Sequence, residues 1–281
     1  MCIRDSGITV LLGSSHGMFG SPISTAVGCG QANRGGVNNI ALGDVTGDGK
    51  VDVVANMTNS GGGCPNDEVA VLAGLGSGKF KKPVYYSTGT TQQSYNIALG
   101  DFNGDGKLDI VTSNNDGSLS ILLNKGKGVY GAANVIAAAS GNGGADVAVG
   151  DFNNDGKLDI AVTDYNQKQV NVLLGNGDGT FQAPISTPSP IDPVTLAAGD
   201  FNHDGKLDLA LTSWDNTGSL TIFTGNGNGT FNVGTTYAFN TWEMCIRDSD
   251  RVSLSCNRFR TAKPSPAGSP RSRIILSLIH I

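Results

Sequence analysis

The sequence predicts an all-β fold made of repeated four-stranded sheets, and three observations carry that prediction. A short apolar segment ending in Gly-Asp recurs as Ile40 to Asp44, Ile97 to Asp101, Val147 to Asp151 and Leu196 to Asp200, at spacings of 57, 50 and 49 residues. A second motif, an apolar strand followed by Gly/Asn-x-x-x-Gly-x-aromatic, occurs five times, at Gly13 to Phe19, Gly74 to Phe80, Asn124 to Tyr130, Gly175 to Phe181 and Gly225 to Phe231. The stretches between these markers are short, rich in β-branched and large apolar residues, and bounded by Gly, Asn and Asp, and none has helical periodicity over a useful length.

Within one repeat the parts follow a fixed order. A short strand leads into an aspartate-rich loop, and a second strand such as Asp109 to Thr112 follows it. A polar turn, a third strand such as Val170 to Leu174 or Leu220 to Phe223, a Gly-rich turn and a weaker fourth strand complete the unit. Four strands per repeat of about 50 residues are the mark of propeller blades, which bury their faces against one another and leave only short edges. The chain holds about four such blades plus a partial one. Its 41 glycines fit hairpin turns that need positive φ. The aromatic after each Gly-rich turn (Phe19, Phe80, Tyr130, Phe181, Phe231) is expected to pack between neighbouring sheets.

The strongest chemical signal is Asp-x-(Asn/Thr)-x-Asp-Gly-Lys-x-Asp, present four times. Oxygen donors fall at positions 1, 3, 5 and 9, with the lysine backbone carbonyl available at position 7. The candidate metal ligands are therefore Asp44, Thr46, Asp48, Lys50 and Asp52 in the first loop and Asp101, Asn103, Asp105, Lys107 and Asp109 in the second. The third loop offers Asp151, Asn153, Asp155, Lys157 and Asp159, and the fourth Asp200, Asn202, Asp204, Lys206 and Asp208. An oxygen-only set of this kind suits Ca²⁺; a transition metal would call for His or Cys. Position 6 is glycine in every copy, which permits a sharp turn. His203 sits at position 4, outside the ligand set, and reads as a solvent-facing turn residue. An EF-hand would need a ligand at position 12, where Ala55, Thr112, Val162 and Leu211 stand, so the ninth aspartate must close the loop between two strands. Turn capping by Asp and Asn is the structural alternative, but it needs only one such residue per turn.

These loops, with Phe19-Gly20-Ser21-Pro22 and Phe181-Gln182-Ala183-Pro184, resemble the FG-GAP/VCBS repeats of the integrin-α-like β-propeller over nearly all of residues 7 to 243. The resemblance implies that each loop joins the first two strands of a blade and binds calcium, and that a complete ring has seven blades. It further implies an extracellular module, secreted or on the cell surface, acting in adhesion, scaffolding or ligand binding. Thr46 departs from the usual Asn or Asp of the motif. In such a blade Cys29 and Cys64 would both lie opposite the calcium loop, where a disulfide could staple the insertion Ser60 to Cys64; two free thiols are the other reading.

The ends read differently. Met1-Cys2-Ile3-Arg4-Asp5-Ser6 recurs letter for letter as Met244 to Ser249, and both this string and the final Leu276-Ser277-Leu278-Ile279-His280-Ile281 read as translations of the two strands of one sequencing adapter. Residues 1–6 and 244–281 are accordingly set apart from the fold. Residues 7–243 carry 21 acidic against 11 basic side chains, with Arg34 the only arginine, whereas 244–281 carry seven basic residues, six of them arginine, against two aspartates. That Ser/Pro/Arg tail is expected to be disordered, and its charge is no argument for nucleic-acid binding. The abrupt start and finish of residues 7–243 inside a repeat suggest a fragment, and no apolar run is long enough for a membrane-spanning helix.

No catalytic motif survives its context. Gly13-Ser14-Ser15-His16-Gly17 matches a nucleophile-elbow string but occupies a hairpin position, and only His16 and His203 are available in residues 7–243 as a base. Gly74-Leu75-Gly76-Ser77-Gly78-Lys79 lacks the phosphate-loop spacing. The chain is thus expected not to be an enzyme, although it could be the non-catalytic part of a larger secreted one. Tyr165 and Trp214, each six residues beyond a ninth-position aspartate, raise a lectin alternative, since exposed aromatics can stack on a sugar or anchor a protein partner.

Overall fold

The computed structural model describes residues 7–14, 18–27, 36–58, 68–140, 146–213 and 218–238. Cys29, Cys64, His16, Trp214 and the segments 1–6 and 244–281 lie outside them. The described residues form eighteen β-strands and no helix. A two-stranded sheet comes first, from β1 (Gly7–Val10) and β2 (Ile23–Ala26). Four four-stranded antiparallel sheets follow. The first blade has β3 (Gly36–Gly43), β4 (Asp52–Thr58), β5 (Glu68–Leu72) and β6 (Val84–Ser87), and the second β7 (Ser94–Gly100), β8 (Asp109–Asn114), β9 (Ser118–Leu122) and β10 (Asn134–Ala137). The third has β11 (Val147–Gly150), β12 (Asp159–Asp164), β13 (Gln169–Leu173) and β14 (Ile185–Pro188), and the fourth β15 (Pro193–Gly199), β16 (Asp208–Ser213), β17 (Ser219–Gly225) and β18 (Phe231–Ala238).

Within each blade the strands pair in chain order, and the first strands of successive blades, β3, β7, β11 and β15, run side by side. This is an incomplete propeller of four blades and a half-blade, as the repeat pattern predicts. No helix among the described residues is long and apolar enough to cross a membrane.

Every core lies between adjacent sheets, and the two-residue period of a strand explains how. Successive side chains on a strand point to opposite faces. Ile110 therefore joins the cluster shared with the first blade, whereas its neighbour Val111 joins the one shared with the third. Ile160 and Ala161 divide in the same way between the second and fourth blades. Buried on both faces, β8 and β12 have no exposed position, whereas the outermost β18 is exposed at all but one.

In the last three blades the aromatic after the Gly-rich turn packs against the preceding blade. Phe181 meets Phe102 edge-on at 5.5 Å and Phe231 meets Phe152 at 5.9 Å. Tyr130 meets Tyr86 at 5.3 Å and is buried beside Val45. Phe19 departs from the expectation: it is 58% exposed, its half-blade being the first described sheet, with no earlier loop among the described residues to pack against.

Polar links join blades at the innermost strands as well. Asn39 Nδ2 donates to Asn96 Oδ1 at 2.7 Å, and Asp146, in the equivalent place before β11, accepts from the Leu196 amide of β15 and from Val147 N, both at 2.9 Å. Burial pushes the Asp146 carboxyl up to about 7 from 3.8, against the two amide bonds, which pull it down. A carboxyl raised on folding stabilises below its unfolded pKa, and that stabilisation is lost as pH rises through the folded value. Chemical denaturation of metal-free protein should therefore show the parent losing more stability than Asp146→Asn between pH 5 and pH 8.5; equal slopes would refute this role. A double-mutant cycle on Phe152→Leu and Phe231→Leu should give a coupling of about 0.5–1.5 kcal/mol beyond the separate effects, and additivity would show that the ring contact is passive.

Candidate metal centre

Each aspartate loop joins the first two strands of its blade and turns through two left-handed residues. Position 4 has positive φ in Gly47 (72°), Gly104 (73°), Asn154 (59°) and His203 (62°), and the position-6 glycines Gly49, Gly106, Gly156 and Gly205 lie at 78–82°. Only glycine takes φ near 80° without strain, which accounts for its presence at position 6 in all four loops. His203 is exposed, as expected for a turn residue.

The loop side chains are held by amides of the loop itself. In the second loop Asp101 accepts from Asp105 N (3.1 Å) and Gly106 N (2.8 Å), Asn103 Oδ1 from Asp105 N (3.0 Å), and Asp105 Oδ1 from Lys107 N (3.0 Å). The third and fourth loops repeat this set through Asp151, Asn153 and Asp155, and through Asp200, Asn202 and Asp204. The first loop differs where its sequence does: Thr46 Oγ1 donates to Asp44 at 3.4 Å, while Gly47, Asp48 and Gly49 amides also bond Asp44.

The ninth aspartate behaves differently from the other three donors. Asp52, Asp109, Asp159 and Asp208 are fully buried. Asp109 Oδ2 accepts from Phe102 N at 3.0 Å, at the start of its loop, and Oδ1 from Asn124 N at 2.7 Å, at the start of the Gly-rich turn. Asp159 spans Phe152 N and Gly175 N, and Asp208 spans Phe201 N and Gly225 N, in the same manner. Asp52 takes Gly74 N at 2.6 Å and, one residue later in its loop, Thr46 N. The turn comes so close that a Cβ on Gly74, Gly175 or Gly225 would overlap the carbonyl of Val51, Leu158 or Leu207. In the second blade Asn124 takes that place and sends its Nδ2 to Leu108 O and Val45 O. These amide partners escape the sequence reading because their separation from the ninth aspartate runs from 15 to 22 residues.

Charge is crowded here. Burial pushes the Asp109 carboxyl up to about 6; its two amide bonds oppose this, and the nearby charges of Asp105 and Asp101 add to it. Asp159 is raised by burial in the same way, with Asp155 and Asp151 contributing. The nearest compensating charge is the position-7 lysine, whose ammonium lies 2.8 Å from Asp48, 2.7 Å from Asp105 and 3.8 Å from Asp155. Its hydrogen bond holds Asp48 and Asp105 below the usual carboxylate range. The structure thus gathers the four candidate donors of each loop into one acidic neighbourhood. It does not bring three His, Cys, Asp or Glu side chains into a single ligating group among the described residues; the ninth carboxylate faces amides, and in the first three loops the fifth faces its lysine.

Comparison with known proteins fits this geometry. No curated protein matches the sequence. The profile of the FG-GAP-like repeat matches residues 57–112, 101–162 and 151–211, and that of the FG-GAP repeat matches 193–230. The chain belongs to the FG-GAP repeat family. Three of the four loops of this FG-GAP chain fall inside the matched stretches, and the Thr46 loop precedes them. Among solved structures it is similar to the Photorhabdus luminescens Tc holotoxin pore carrying TccC3-D651A, at 18% identity and a TM-score of 0.40 over 83% of this chain. It is also similar to BBS1N in complex with ARL6DN, at 12% identity and a TM-score of 0.50 over 82% of this chain. The FG-GAP chain spans 11% and 63% of the lengths of those two chains, and the second likeness speaks to the fold alone.

Replacing Asp159 by Ala should strand the amides of Phe152 and Gly175 without an acceptor. Urea denaturation in EDTA is expected to show a loss of about 2–5 kcal/mol. A loss under 0.5 kcal/mol (roughly the scatter of ordinary surface substitutions) would mean that the clamp is dispensable.

Proposed function

We propose that this chain is a calcium-binding, extracellular, non-enzymatic FG-GAP propeller module that works in adhesion, scaffolding or ligand binding. The observation that carries the reading is the donor chemistry of the four loops: three carboxylates within nine residues each, no thiol or imidazole among the ligand positions, and, in the first three loops, a single lysine paired with the fifth carboxylate. The fit is good on those grounds, because hard oxygen donors with excess negative charge favour Ca²⁺. Asp101, Asn103, Asp105, the Lys107 carbonyl and Asp109 would hold the ion in the second loop, and their counterparts would do so in the others. Bound calcium would supply the positive charge that these loops lack. The protein's own part is to order the first, third and fifth side chains through the amides of positions 5 to 7, while the ninth carboxylate would have to share its oxygens between its two amides and the ion.

A stiffened array of blades then presents its turns to partners, which we take to be proteins or glycans. The glycan reading is favoured by Tyr165, 39% exposed in the turn between β12 and β13. Extracellular calcium in the millimolar range suits exposed sites of modest affinity.

Thermal melting of the purified chain in millimolar CaCl₂ against EDTA tests the calcium reading. Ligand that binds only the folded state adds about 2.7 kcal/mol per site at a hundredfold excess over Kd, so the midpoint should rise by several degrees. MgCl₂ should raise it less. Identical midpoints in calcium and EDTA would sink the reading.

A further inference from the structure

The position-7 lysine makes a stem contact in all four blades and an ion pair in three of them, and its assumed role as a carbonyl ligand requires neither. Its methylene stem lies over the Gly-rich turn of the same blade: a Cβ built on Gly76, Gly126, Gly177 or Gly227 would meet the stems of Lys50, Lys107, Lys157 and Lys206 at 3.9, 3.7, 3.0 and 3.2 Å, the closest neighbour of Gly227 being Asn154 at 3.0 Å. Its ammonium returns to the fifth carboxylate of its own loop, at 2.8, 2.7 and 3.8 Å in the first three blades. In the fourth blade the stem contact persists, and no ion pair between Lys206 and Asp204 occurs among the described residues. The stem is thus seated independently of the charge, and the charge is delivered to a position-5 oxygen that a cation would use.

We propose that Lys50, Lys107 and Lys157 are tethered counter-ions that compete with calcium for the fifth carboxylate and so set the affinity of their loops. The inference rests on the calcium reading given above. With the ion absent, the lysine neutralises part of the acidic loop and keeps it folded; with the ion present, the ammonium must yield the carboxylate oxygen and stands as a like charge nearby. Both effects weaken binding, and both disappear if the charge is removed while the stem remains. The loop of Lys206, lacking the pair, is the one whose affinity depends least on its lysine.

Methionine keeps an unbranched stem and removes the charge, so the test compares the parent with Lys50→Met/Lys107→Met/Lys157→Met and with the corresponding triple Arg variant. Isothermal titration of metal-free protein with CaCl₂ should show the Met variant binding about two- to five-fold more tightly per affected site, the size of an exposed ion pair, with the Arg variant near the parent. Melting in EDTA should show the Met variant lower than the parent, with the order reversed in saturating calcium. Lys206→Met alone should raise calcium affinity less than the same change at any of the three paired lysines. If the Met variant binds calcium no more tightly than the parent, or melts lower by the same amount in EDTA and in calcium, the lysines are merely structural and the inference is overturned. If the parent itself gives neither binding heat nor a calcium-dependent midpoint, the calcium reading fails first and this inference falls with it.

Discussion

The ninth aspartate of each loop is the constraint on which the blade depends. One buried carboxylate holds two backbone amides, one at the start of the aspartate loop and one at the start of the Gly-rich turn, and thereby fixes two separate connections at the same end of a sheet. Burying a charge is unfavourable unless hydrogen bonds compensate it. Here the compensation comes from amides that would otherwise be orphaned where strands end. The glycines at Gly74, Gly175 and Gly225 fit this clamp, because in those three blades a Cβ would overlap the neighbouring carbonyl, whereas in the second blade Asn124 makes the same amide bond and turns its own side-chain amide to the Leu108 carbonyl.

With that end of each blade fixed, the turn projects its aromatic toward the preceding blade. Phe181 and Phe231 meet Phe102 and Phe152, which stand at position 2 of the neighbouring loops, and the amides of Gly179 and Gly229 donate to those same two residues' carbonyls at 2.9 Å. Position 2 therefore serves the interface between blades and positions 1, 3 and 5 serve the loop, within a single nine-residue segment. Order in the acidic loop and packing between sheets are two outcomes of one stretch of chain. This is why a cation bound there would be felt across a blade boundary as well as inside the loop.

Most of the architecture was legible in the sequence because each level repeats the same message. Gly-Asp markers set the repeat, period-two apolar segments set the strands, and Gly-x-x-x-Gly-x-aromatic set the outer hairpin; β7 to β9 and β11 to β13 fall where those patterns put them. The loop residues were legible as an acidic turn that recurs in register. What could not be read was the division of labour among them: that Asp109 and Asp159 turn to amides across a hairpin, and that Lys107 carries its charge back to Asp105. Those facts depend on through-space neighbours at variable sequence separation. The exposure of Phe19 escaped for a related reason, since a motif announces the residue that packs but not whether its partner sheet is there. Asp146 was missed because nothing local marks it; at the equivalent places the chain carries Asn39, Asn96 and Thr195, and the carboxylate stands out only against its neighbours in the ring.

Each apolar cluster is shared by two successive sheets and by no third. A molecule assembled this way behaves as a linear chain of coupled units, each stabilised only by the one before and the one after. Evolution, for its part, can lengthen or shorten the array by whole modules without redesigning an interior.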